Sequence, residues 1–262
     1  MNFNLCHQER PLCDFLPSFT ADKVVVVGAG PSLDYCHHEI KENFDTNALF
    51  FLTDIVAANF IRHYPQSRRL IFSVEHRLHG YLKSLKNEEI AFYTGANRAN
   101  LPTIENRLFR FHFDFDEKKS AYMSSHSTRL VSPGTVAGAA LAAALYLAKE
   151  SQNRVEIDLL GIDFAYPEER VYSRLAYRPV QSSYWNRRES REYEAILARS
   201  SRVWLKNGFA IPTSEEFFRA KENFETLLLS IPGSTLEGVQ VNDFSPLGLG
   251  AGVMKKIPHG MK

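Results

Sequence analysis

Four consecutive valines broken by two glycines constrain this chain more than any other feature. The segment reads Lys23-Val-Val-Val-Val-Gly-Ala-Gly-Pro-Ser-Leu-Asp34. An unbroken β-branched run predicts a strand buried on both faces. Gly28 and Gly30 allow a tight turn and close approach to the main chain. Pro31 suits the first position of a following helix. The N–H groups of that helix end, around Ser32 and Leu33, are expected to face outward with the positive end of the dipole. An exposed anion there gains about 0.3–1 kcal/mol. The segment therefore reads as a phosphate site, with a plain strand-to-helix turn as the bland alternative.

Two familiar loops are excluded. A dinucleotide fingerprint needs a third glycine where Leu33 stands, and a P-loop needs Gly-Lys-Ser/Thr after a longer loop.

A chain of 262 residues fits one large domain or one domain with an appendage. Its 31 Lys and Arg nearly balance 30 Asp and Glu, which argues against nucleic acid or an acidic membrane surface as partner. Cys6, Cys13 and Cys36 form neither a metal-ligand spacing nor a disulfide framework, and the first residues lack a signal pattern, so a cytoplasmic protein is expected. The longest apolar stretch, 136–148, is too short to span a bilayer and reads as a buried helix, so no transmembrane segment is expected.

Short apolar runs recur at 48–52, 70–74, 90–93, 108–113 and 155–161, alternating with polar or helical segments. A helix is expected over 136–149, a charged amphipathic helix over 187–206, an extended piece over 209–212, and a last helix from Thr213 or Ser214 to about Leu229. Residues 1–20 read as an N-terminal extension, 21–231 as the domain, with a lid at about 166–191, and 232–262 as a loosely ordered tail. Alternation of strands and helices predicts an α/β fold. In such a sheet ligands lie beyond the carboxyl ends of the strands. That rule collects 28–32, Thr53 and Asp54, Ser73 and Glu75, Thr94 and Asn97, 132–135 and 161–163.

Four segments together resemble the domain shared by bacterial motility accessory factors, which glycosylate flagellin, and archaeal 6-hydroxymethylpterin diphosphokinases. They are Gly28-Ala-Gly-Pro-Ser-Leu-Asp34, Ser132-Pro-Gly-Thr-Val-Ala-Gly-Ala-Ala-Leu141, Leu160-Gly-Ile-Asp-Phe164, and Lys206-Asn-Gly-Phe-Ala-Ile-Pro-Thr-Ser214. The first and third also resemble bacterial CMP-sialic acid transferases. The resemblance covers most of residues 20–230. It implies a Rossmann-like, doubly wound, mostly parallel sheet with helices on both faces and a lid segment. It also implies that Gly28, Ala29, Gly30, Pro31 and Ser32 meet the nucleotide, and that Ser132, Pro133, Gly134 and Thr135 line its pocket. The transferases carry an asparagine where Ala29 stands and a lid histidine as general base, whereas this chain has no histidine between His126 and His259.

Residues 168–191 hold Arg170, Arg174, Arg178, Arg187, Arg188 and Arg191 among Tyr172, Tyr177, Tyr184 and Trp185. Planar guanidinium groups match phosphate oxygens, and tyrosine hydroxyls can donate to a leaving phosphate. The resemblance makes Tyr172 and Tyr177 counterparts of the lid tyrosines that hold the nucleotide phosphate, with Arg174 beside them. A solvated loop anchored by its aromatics is the alternative.

Asp163 at a strand end can bind a metal, accept from a ribose hydroxyl, act as a base, or cap a turn. Glu75 and Asp54 are the second and third carboxylates, with Asp163 and Glu75 assigned to catalysis and Asp54 to the nucleotide. His76 and His79 make a weak metal pair, and no metal site is assigned. Thr135 can cap its helix, help offer it to a second anion, or both.

These residues lead to a nucleotide-dependent transferase, foremost a glycosyltransferase using a CMP-activated nonulosonic acid (sialic, pseudaminic or legionaminic) on a glycan or protein acceptor, with no cofactor required. One alternative is a pyrophosphoryl transferase of the 6-hydroxymethylpterin diphosphokinase type, using ATP or GTP with Mg²⁺. Another is a nucleotide-binding domain without catalysis.

Overall fold

The computed structural model describes residues 10–46, 48–74, 85, 88–93, 108–113, 127–131, 134–152, 154–166, 170, 172–176, 202–206, 209–229 and 239–245. The valine run is strand β2 (Lys23–Val27), and it lies inside a nine-stranded sheet. Its neighbours are β3 (Leu49–Thr53) and β8 (Val155–Leu160). Val24 to Val27 pair with Leu49 to Leu52 on one side and with Ile157 to Leu160 on the other. Beyond β3 follow β4 (Arg68–Ser73), β5 (Ile90–Tyr93) and β6 (Leu108–Phe113). β1 (Arg10–Pro11) and β7 (Thr128–Leu130) both pair with β6, and β11 (Val239–Asp243) closes the other edge beside β8. Every pairing in this sheet is parallel.

Alternate side chains of the central strands enter two cores, as a sheet covered on both faces requires. Val24, Val26, Phe51 and Phe72 pack with the alanine-rich helix α3 (Val136–Ser151), the 3₁₀ segment Leu12–Ser18 and helix α4 (Glu215–Leu229). Val25, Val27, Phe50 and Leu52 pack with helices α1 (His37–Asp45) and α2 (Asp54–His63). The fold is α/β and Rossmann-like. A separate antiparallel pair joins β9 (Arg202–Lys206) to β10 (Phe209–Thr213).

Three expectations are corrected. Residues 202–206, expected at the end of a charged helix, form β9, because an antiparallel partner in 209–213 satisfies their backbone. Residues 239–243, expected in a loosely ordered tail, form β11 against β8. Residues 10–19, expected as an extension, contribute Leu12, Phe15 and Phe19 to the first core. Pairing with a partner strand decides the first two, and packing against the first core decides the third. Residues 187–200 of the expected helix lie outside the described residues. Among the described residues, no helix is long and apolar enough to cross a membrane.

Candidate functional site

The strand order reverses direction between β2 and β8, since β2 leads to β3 on one side while β8 begins the other. The carboxyl ends of the strands at such a point diverge and leave a crevice. A cleft of about 300 Å³ lies there. Its floor comes from Gly28, Ala29 and Gly30 after β2, Thr53, Asp54 and Ile55 after β3, and residues 161–165 after β8. Thr135, Val136 and Ala137 at the start of α3 form one wall, with Phe217 of α4 and Tyr172 at the rim.

The glycines serve packing between two loops. Gly28 N–H donates to Leu160 O and Gly30 N–H to Gly161 O, both at 2.8 Å, which continues the β2–β8 ladder past the strands. A Cβ on Gly28 would lie 2.4 Å from Gly161 O, and one on Gly30 would lie 2.3 Å from Asp163 Oδ2. Gly161 itself has φ +65° and approaches Leu33. Both glycines of the first loop are therefore held in place by the second loop, 131 or more residues on.

The turn after Gly30 is a short 3₁₀ segment, Pro31–Tyr35, and α1 begins only at His37. The outward-facing N–H expected at Ser32 is already engaged. Ser32 N–H donates to Asp163 Oδ2 at 2.8 Å, and the Ser32 hydroxyl donates to Asp163 Oδ1. Leu33 N–H turns back to Gly30 O. An internal carboxylate thus takes the place expected for a ligand phosphate. The reason is that β8 ends one turn from the glycine loop and carries an acid there. Asp163 is 3% exposed and lies on the cleft lining. Phe164 follows with φ +50°, a conformation uncommon for a bulky residue, and the Thr213 hydroxyl donates to its carbonyl at 2.8 Å.

Asp54 is buried at the start of α2. Its Oδ1 accepts Ile55 N–H at 2.8 Å, and its Oδ2 accepts the Ser73 hydroxyl at 2.5 Å, which accounts for Ser73 at the end of β4. Thr135 caps α3, its hydroxyl accepting Gly138 N–H at 3.0 Å. Gly134 precedes it with φ +81°.

Of the lid, Tyr166, Arg170 and residues 172–176 are described. Tyr172 lines the cleft, 42% exposed, whereas the Arg174 side chain is 86% exposed and is not on the lining. Asp34, which sequence reasoning passed over as a site residue, holds this segment: Arg170 Nη1 donates to Oδ2 at 2.6 Å and Arg174 N–H to Oδ1 at 2.8 Å. The signal was an acid four residues beyond Gly30 in a chain whose later arginines cluster. Ile55 and Phe217 were also missed, because apolar residues at helix starts look like ordinary core positions. Glu75, Ser132, Pro133, Tyr177, Thr94 and Asn97 lie outside the described residues.

Cys36 sits under the loop, its thiol directed at Ser32 O (3.2 Å) and Phe244 O (3.4 Å). Burial, with Glu39 and Asp163 nearby, pushes the thiol up to about 12, so it is a neutral hydrogen-bond donor and not a nucleophile. Among the described residues no group of three His, Cys, Asp or Glu is placed to hold a metal ion. No family model, curated protein or solved structure matches this chain.

Proposed function

We propose that the chain is a nucleotide-dependent transferase of the kind its four motifs resemble, and foremost a glycosyltransferase that uses a CMP-activated nonulosonic acid. The observation that carries this reading is convergence. Three of the resembling segments supply lining to one cleft, and the fourth reaches it through the Thr213 bond to Phe164 and the helix start at Phe217. These segments are far apart in sequence, and the sheet brings them to one crevice at the switch point, where ligands bind in folds of this class.

In this reading the nucleoside lies against 28–30 and the start of α3, and the buried Asp54 carboxylate accepts from ribose hydroxyls. Tyr172 donates to the phosphate from the rim. Transfer forms a bond from the acceptor oxygen to the anomeric carbon and breaks the bond from that carbon to the phosphate oxygen, so CMP leaves with the electron pair. The acceptor proton passes to a carboxylate. Both oxygens of Asp163 are engaged by Ser32, so this carboxylate is occupied in holding the two loops together. That leaves Glu75, two residues after β4, as the residue proposed for this step. The acceptor is a glycan or a protein, and Cys13 and Cys36, both unpaired thiols, fit a reducing cytoplasm.

A second reading is favoured by one observation, that two buried carboxylates, Asp54 and Asp163, line the same cleft. Two carboxylates with substrate phosphates suit Mg²⁺, which would neutralise phosphate charge during pyrophosphoryl transfer from ATP or GTP to a pterin alcohol.

Thermal unfolding with CMP, CDP, ATP and GTP, each with and without Mg²⁺, separates these readings, since a ligand at 100 times its Kd stabilises by about 2.7 kcal/mol. A metal-independent rise with CMP supports glycosyl transfer, and a rise with ATP or GTP only in Mg²⁺ supports the diphosphokinase. Binding without turnover of any donor would leave a nucleotide-binding domain, and no rise with any of them overturns the nucleotide reading.

A further inference from the structure

The segment that carries Tyr172 to the cleft is fastened at three points, each on a different element. Ser173 N–H donates to Ala29 O at 2.8 Å, which ties it to the glycine loop. Asn59 Nδ2 of α2 donates to Leu175 O at 3.0 Å. The third point is Asp34, whose two carboxylate oxygens accept from Arg170 Nη1 and Arg174 N–H on either side of Tyr172. Ser173 is fully buried, and Leu175 and Ala176 enter the second core, so the backbone next to Tyr172 is seated inside the fold while the tyrosine itself reaches the rim.

From this geometry we infer that Asp34 is a positioning residue: it clamps the chain on both sides of Tyr172 and so fixes that partly exposed ring at the edge of the cleft lining. Asp34 belongs to the same short turn as Ser32. The turn therefore uses one face to meet Asp163 and another to hold the strap, and the ring is placed relative to the glycine loop by a chain of only a few bonds. The contribution to ligand binding rests on the nucleotide reading above, but the clamp itself does not.

Hydrogen exchange on the full chain tests the clamp without any ligand. Asp34→Ala is expected to speed exchange of the amides of Ser173 and Arg174 at least tenfold, with the amides of β2 and β8 unchanged. Arg170→Ala is expected to reproduce part of that gain and to add little on the Asp34→Ala background. Unchanged exchange at 173 and 174 in Asp34→Ala overturns the clamp, and equal acceleration in β2 and β8 overturns it too, as a general loss of stability. CMP is the probe for the second arm. Asp34→Ala is expected to weaken CMP by fivefold or more, to about the level of Tyr172→Ala, and to cause no further loss when combined with it. Asp34→Asn, which keeps an oxygen for Arg174 N–H but loses the ion pair, is expected between wild type and alanine. A further loss in the double variant shows that Asp34 acts on the ligand by another route and overturns the positioning role. If the unaltered chain takes no CMP, the glycosyltransferase reading fails, and the exchange arm alone decides the clamp.

Discussion

Asp163 closes on Ser32 with both carboxylate oxygens, one on the backbone N–H at 2.8 Å and the other on the side-chain hydroxyl. The two residues stand 131 positions apart, at the ends of adjacent parallel strands. Asp163→Ala removes the acceptor for two buried donors, and an unsatisfied buried donor costs about 1–3 kcal/mol. Urea unfolding of the variant is expected to show a loss in that range or above it, with an unchanged m-value.

Gly30 is placed by the same carboxylate. Its φ of −67° is open to any residue, so the obstacle to substitution is steric: a Cβ would meet Asp163 Oδ2 at 2.3 Å and Gly161 O at 2.8 Å. Gly30→Ala is expected to destabilise by about 1–3 kcal/mol. On an Asp163→Ala background the cost is expected to fall, because one of the two clashes is gone, and the double-mutant cycle reads that difference directly. Loss of binding in a Gly30 variant therefore does not by itself report on a ligand contact.

Ala137 offers a cleaner probe of the cleft. It lies on the wall at the second position of α3, half-buried, past the Thr135 cap. If the proposed nucleotide binding holds, Ala137→Phe is expected to fill the space between α3 and Phe217, to abolish the thermal shift the nucleotide produces, and to alter unfolding in its absence by less than about 1 kcal/mol. Retained binding would remove the cleft from consideration.

Alkaline pH reaches the protein through Cys36. The unfolded thiol titrates near 9.0 and the folded one near 12. The folded state therefore keeps a proton that the unfolded chain releases, so stability is intact below pH 9 and declines as pH rises toward 12, by about 1.4 kcal/mol for each unit well inside that window. Tyr64 and Tyr146, also raised by burial, add to the decline from about their ordinary value of 10.0 upward. Cys36→Ala is expected to flatten the slope between pH 9 and 10.

The helix α3 ends with Gln152 at φ 57°, a left-handed position where glycine is favoured. Gln152→Gly is expected to raise stability by up to about 1 kcal/mol. Thr135→Ala at the other end is expected to lower it by about 1 kcal/mol.

The sequence was legible where one element carries its own signal. Four valines cannot sit on a half-exposed sheet, and the alanine run 136–148 has no polar face, so β2 and α3 are readable without neighbours. Ser214 and the acids after it mark the start of α4, and the Ser214 hydroxyl does accept Phe217 N–H. What could not be read depends on partners. β11 is a strand because β8 has an open edge. Residues 202–206 turn away from helix because 209–213 pair with them. At the site, glycine spacing marks where the loop is, but only the approach of β8 shows that Asp163 fills the position a phosphate was expected to take, and that Asp34 points toward the strap.

The strand β11 has a consequence for the order in which the cleft is made. Ile162 N–H donates to Ser245 Oγ, Phe244 N–H donates to Leu159 O, and Asn242 donates to the buried Asp158. The loop that carries Asp163 is thus braced by the part of the sheet synthesised last. While the ribosome is still adding residues 239–245, β8 is an unpaired edge and the glycine loop has a partner that is itself unsupported. The β2–β6 half needs none of these residues, whereas Val239 and Val241 pack on the first core and Phe244 on the second, so both cores and the crevice beside β8 are completed only with the final strand.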